Sequence, residues 1–169
     1  TYGNYQFSQC SLNSISGLCK TSTISVTNNT RILGTLNVQQ NSNRVTISDS
    51  FVMTLRVVFV ARIKLVNNTI GTATLRASVM LVMSGNEVTS GGTVVEQTSA
   101  FNFSGNIFKT TISNFALSFT GSTLPQRSIL VGNSYLIQSG VAGASYTNIP
   151  SGFSTNLINA NNGNGEFTP

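Results

Sequence analysis

From Phe51 to Leu65 every odd position of this chain is apolar: Phe51, Met53, Leu55, Val57, Phe59, Ala61, Ile63 and Leu65. From Gly71 to Met83 the odd positions again carry Ala73, Leu75, Ala77, Val79, Leu81 and Met83, opposite Thr72, Thr74, Arg76 and Ser78. A period of two over such lengths is the signature of pleated strands with one buried face. A slip of one residue would expose every one of these side chains, so register is tightly specified. The segment Val66-Asn67-Asn68-Thr69 separates the two runs and tolerates positive φ. The pair is predicted to form a long β-hairpin. At about 3.3 Å per residue its strands would exceed roughly 40 Å, well beyond the usual strand. Either they bend between sheets or the subunit is elongated.

The rest of the chain repeats the pattern in shorter pieces. Ser22 to Thr27 and Ile32 to Gln39 flank Asn28-Asn29, and Val45 to Ser48 is short. Val94 to Phe103 and Ile107 to Phe119 flank Gly105-Asn106, while Arg127 to Ile137 reads as a further strand. The apolar phase changes between Ile112 and Phe115, as at a bulge or a bend. Ser84-Gly85-Asn86 and Ser90-Gly91-Gly92 read as turns, and no segment shows helical spacing with caps. The expected fold is all-β: an antiparallel β-sandwich, Ig-like or jelly-roll-like, open to completion by a strand from a neighbouring subunit. Residues 1–19 are expected to form an N-terminal strand and disulfide loop, and residues 20–169 the sandwich.

Function is constrained most by charge. Only 8% of the 169 residues are charged, against roughly 25% in ordinary soluble domains. Hydroxyls and amides do the solvating, which suggests glycans or deliberate assembly. Asp49, Glu87, Glu96 and Glu166 are the only acids, and there is no histidine. Triads and histidine-ligated metal centres are therefore excluded, and no phosphate-binding loop is present. Neither a catalytic site nor a metal, cofactor or small-molecule substrate is expected. Protonating the four acids moves the formal charge only from +5 to +9, so the fold should tolerate acid. The nine basic residues are scattered, Arg56, Arg62 and Lys64 on one strand face being the nearest to a stripe. This argues against a nucleic-acid partner.

Cys10 and Cys19 suit a small disulfide loop in an oxidising compartment. The alternative is two free buried thiols. No apolar stretch is long enough to span a bilayer, and in an exported protein Thr1 would begin a processed mature chain. Three N-x-[ST] sequons begin at Asn28, Asn67 and Asn102. The first two fall at expected hairpin tips. The third lies between Phe101 and Phe103 and must face away from their core. N-linked glycans are expected at all three. Ahead of Cys10, the segment Tyr2-Gly3-Asn4-Tyr5-Gln6-Phe7 is an aromatic β-type stretch. It reads either as an ordinary first strand or as a donor strand that completes the sheet of the next subunit.

The low charge, the Asn/Ser/Thr richness, the sequons at Asn28, Asn67 and Asn102, the early cysteines and the strand around Tyr5 and Phe7 resemble the subunits of cell-surface threads and related non-type-IV pili of thermoacidophilic archaea. The resemblance covers the whole chain loosely and rests on no diagnostic motif. It implies an exported, N-glycosylated β-sandwich in an extracellular filament. Copies would join head to tail, with Tyr2, Tyr5 and Phe7 inserted into the neighbour, and the filament would contact other filaments or cell surfaces. A single jelly-roll viral capsid subunit is the second reading, and a carbohydrate-binding adhesin module the third.

Overall fold

The computed structural model describes residues 3–18, 23–39, 43–96, 98–110, 115–120, 127–137, 145–148 and 157–163. Its strands in chain order are β1 (Asn4–Ser8), β2 (Ser11–Leu12), β3 (Ile15–Leu18), β4 (Thr23–Thr27), β5 (Arg31–Gln39), β6 (Arg44–Ser48), β7 (Phe51–Val66), β8 (Thr69–Ser84), β9 (Glu87–Val88), β10 (Thr93–Glu96), β11 (Ala100–Ser104), β12 (Ile107–Thr110), β13 (Phe115–Thr120), β14 (Arg127–Ile137), β15 (Ser145–Asn148) and β16 (Leu157–Gly163).

Every pairing among these strands is parallel. Arg44 faces Arg62, and Arg62 faces Met80, a step of 18 residues each time. The step is 20 from Leu81 to Phe101 and 27 from Ala100 to Arg127. The chain therefore winds as a single parallel β-solenoid, each coil lying about 4.8 Å from the last. This corrects the expected antiparallel sandwich, Ig-like or jelly-roll-like. Alternation reports that a strand has one buried face, and it is silent on the direction of the neighbour. The expected hairpin of Phe51–Leu65 and Gly71–Met83 is two successive coils running the same way, with Phe51 beside Thr69 and Val66 beside Ser84.

A coil has three faces, here A, B and C. Face A stacks β1, β4, β6, the second half of β7, the second half of β8, β11 and the first half of β14. Face B is narrow and stacks Ile32, Val52, Ile70, Val88, Phe108 and Tyr135 on its inner side. Face C stacks β3, the second half of β5, Thr54–Val58, Thr72–Ala77, β10, β13 and β15.

The core is a set of columns down the axis. On face A, Ile24, Val45, Ile63, Leu81 and Phe101 form one inward column; Val26, Ile47, Leu65, Met83, Phe103 and Leu130 form another, all of them buried. The later coils widen and fill with rings. Phe101 lies 4.8 Å from Phe119, and Phe108 stacks on Tyr135 at 5.6 Å.

The long strands bend at corners, and the bends explain where the simple odd-position phase fails. Register shifts against β5 across Met53 and against β8 around Phe59, which adopts a φ of 58°. The inward set along β7 is Val52, Leu55, Val57, Val60, Ile63 and Leu65, while Met53 and Phe59 are exposed. Val79 is likewise turned out at the same corner one coil later. The corner at Phe59 also separates the expected basic stripe. Arg56 lies on face C; Arg62 and Lys64 lie on face A, where Arg44 joins them.

Candidate functional site

The corner between faces A and B turns through a left-handed residue in each described coil. Gln9, Asn28, Asn29, Asp49, Asn67, Gly85, Gly105 and Gly132 occupy its outer position, all with φ between 49° and 64°. Asparagine, aspartate and glycine are the residues that adopt this left-handed conformation at least cost. Backbone bonds link each corner to the next, as from Asn67 N to Ser84 O at 3.0 Å and from Gly85 N to Ser104 O at 3.1 Å. These dipeptides turn the chain between two faces of one coil rather than reversing it.

The next residue points inward: Thr30, Ser50, Asn68, Asn86, Asn106 and Asn133, all buried. The four asparagines form a ladder. Asn68 Oδ1 accepts from Ser50 N at 3.1 Å, and Asn68 Nδ2 donates to Ile47 O at 2.8 Å and to Asn86 Oδ1 at 2.9 Å. Asn86 repeats this with Asn68 N, Leu65 O and Asn106 Oδ1. Asn106 does so with Asn86 N, Met83 O and Asn133 Oδ1. Asn133 in turn accepts from Asn106 N and donates to Phe103 O. In earlier coils hydroxyls cap the turn instead, Thr30 donating to Thr27 O and Ser50 to Ser48 O. Sequence reasoning saw Asn68, Asn86 and Asn106 only as turn residues and Asn133 as part of a strand; the signal that could have found the ladder is Asn68, Asn86 and Asn106 recurring at coil-length spacing behind a left-handed residue.

The sequon asparagines are placed unequally. Asn28 and Asn67 stand exposed on the outer corner, Asn28 donating to Ser8 Oγ at 3.1 Å and Asn67 to Asp49 Oδ1 at 3.4 Å. Asn102 faces out between buried Phe101 and Phe103, as expected, but is half-buried between Val82 and Ile129, its Oδ1 sealed from solvent without a hydrogen-bond partner. At the N-terminal end, β1 pairs with β4 through Asn4–Thr23 to Ser8–Thr27. Tyr5 heads the inward column of Ile24 yet is 44% exposed, because no described residue stacks on it; Phe7 heads the neighbouring column and is half-buried. Cys10 occupies the inner corner position of this first coil with a free thiol. Tyr2 and Cys19 lie outside the described residues.

Charge is distributed by face. Glu87 and Lys109 form an ion pair on face B. Arg31 sits 5.4 Å from the ring centre of Phe51, and Arg76 covers the ring of exposed Phe59 at 4.3 Å. Arg44, Arg62 and Lys64 are exposed together on face A. Burial pushes the phenol of Tyr135 well above its ordinary range.

The stacked parallel coils, the left-handed corners and the buried amide ladder define the class to which the chain belongs, the parallel β-solenoids. No family model, curated protein or solved structure matches it.

Proposed function

We propose that this chain is a non-enzymatic structural module of an extracellular assembly, a rigid solenoid that joins copies of itself end to end. The observation that carries the reading is Tyr5. Ile24, Val45, Ile63, Leu81 and Phe101, its counterparts in the following coils, are buried by the coils on either side, whereas Tyr5 is 44% exposed. A coil from another copy laid against β1 would cover Tyr5 and Phe7 and pair the edge of β1 that no described strand occupies. The N-terminal strand contributes by stacking, and no groove between sandwich sheets is needed. N-glycans on Asn28 and Asn67 would project from a corner, leaving the coil ends clear.

The test compares the unglycosylated wild-type chain with Tyr5→Lys by sedimentation and electron microscopy. The wild type should elongate with rising concentration, and Tyr5→Lys should remain monomeric with an unchanged circular-dichroism spectrum. A wild type that stays monomeric at high concentration would refute the reading, as would equal association by the variant.

A further inference from the structure

We propose that the outer surface of face A binds an acidic polysaccharide through Arg44, Arg62 and Lys64. Arg44 and Arg62 are direct cross-strand partners, so their guanidinium groups rise from neighbouring strands about 4.8 Å apart. Lys64 follows Arg62 on the same side of its strand, about 7 Å along. The three border a depression of about 310 Å³ whose floor includes Thr46, Met80 and Val82.

Like charges placed directly opposite on adjacent strands destabilise a sheet. Among the described residues, nothing on this face offsets them. Among the described acids, Asp49 sits at the corner, Glu87 is held by Lys109 on face B, and Glu96 lies on face C. In a chain with only nine basic and four acidic residues, three exposed cations with no described carboxylate beside them form a local excess of charge. An external anion supplies the missing counter-charge. Two adjacent guanidinium groups fit one carboxylate by paired N–H donors, and the lysine takes the next anionic group along the polymer.

A polysaccharide suits the rest of the face better than a nucleic acid. The outward residues described on face A include Thr23, Ser25, Thr46 and Ser48 and no aromatic ring, so bases have nothing to stack on. Three cations are also few for a phosphate backbone.

This inference is independent of end-to-end assembly and is tested on the monomeric Tyr5→Lys background as well as on the wild type. Binding to polygalacturonate is measured by calorimetry at about 50 mM salt, with neutral dextran and a single-stranded oligothymidylate as the other arms. Polygalacturonate should bind and dextran should not. Arg44→Gln/Arg62→Gln should weaken binding about tenfold or more, Lys64→Gln less, and Arg56→Gln on face C hardly at all. All four positions are solvent-facing, and a native circular-dichroism spectrum accompanies each measurement. Absence of polygalacturonate binding would overturn the proposal. So would equal or tighter binding of the oligonucleotide, or unchanged affinity in the natively folded double variant.

Discussion

Asn67 and Asn68 are adjacent residues of the same type, and replacing each by alanine should have very different consequences. Asn68 is buried and its amide makes three hydrogen bonds, from Ser50 N and to Ile47 O and Asn86 Oδ1. In Asn68→Ala the Asn86 oxygen keeps the Asn68 backbone N–H as a donor. Ser50 N–H and Ile47 C=O are left without the amide, inside a buried corner. At about 1–3 kcal/mol for each stranded group, the loss is roughly 4 kcal/mol. Asn67 is exposed and its amide makes one long bond to Asp49. Its replacement costs chiefly the left-handed backbone at φ 53°, about 1 kcal/mol. Urea unfolding of the unglycosylated proteins reads both, as shifts in midpoint at constant slope. Asn68→Ala/Asn86→Ala should destabilise by less than the sum of the single changes, because they share one hydrogen bond. If Asn68→Ala lay within about 0.5 kcal/mol of Asn67→Ala, the ladder would not be the bracing the argument requires.

The glycine corners separate conformational cost from steric cost. A Cβ at Gly105 (φ 61°) meets nothing within 4 Å, so Gly105→Ala should cost about 1 kcal/mol and Gly105→Asn almost nothing by urea unfolding. A Cβ at Gly71 would lie 2.2 Å from Met53 O in the coil before, so Gly71→Ala must push two coils apart and should cost several times more. Tyr135 is buried with a raised folded pKa, so its contribution is fully present below the unfolded value of about 10 and is lost as pH rises above it; alkaline melts of Tyr135→Phe should fall less steeply than those of the wild type. Acid offers few groups to protonate, four carboxyls and no histidine, and the melting temperature at pH 2 should stay close to that at pH 7. Intact-mass and peptide mapping of glycosylated protein should find Asn28 and Asn67 occupied ahead of half-buried Asn102.

The strands and many core positions were legible in the sequence, but the architecture they build was not. Alternation identified β7 and β8 as strands and Ala73, Leu75, Ala77, Leu81 and Met83 as core. It failed at Met53, Phe59 and Val79, because a corner consumes a residue and resets the phase without any glycine or proline to announce it. Parallel and antiparallel neighbours make the same demand on a strand with one buried face, so the pattern alone cannot choose between them. The turn segments misled for a related reason. An Asn-Asn or Gly-Asn pair supplies positive φ equally to a hairpin and to a solenoid corner. What distinguishes the two is the inward residue that follows the left-handed one, a buried Asn86 or Asn106 whose amide is aimed at the coil before. Of the basic cluster on face A only Arg62 and Lys64 were legible, since Arg44 and Arg62 become neighbours only once the coil length is known.

That coil length also bears on how such a chain associates. A sandwich has edges along its flanks, and copies can pair sideways in several registers. In a solenoid the interior strands are paired on both sides, as β7 is with β6 and with β8. Open edges are confined to the two ends, whatever the number of coils. Pairing between copies would then run along one axis. Because the strands are parallel, the surface at one end differs from the surface at the other, and stacking of unlike ends would be heterologous and, along a straight axis, non-closing. A low surface charge weakens the repulsion that would otherwise oppose such stacking, and the chain has only nine basic and four acidic residues to provide it. Growth by coil addition would bury Tyr5 and extend the inward columns it heads, so the interface repeats the packing already present between Ile24 and Val45.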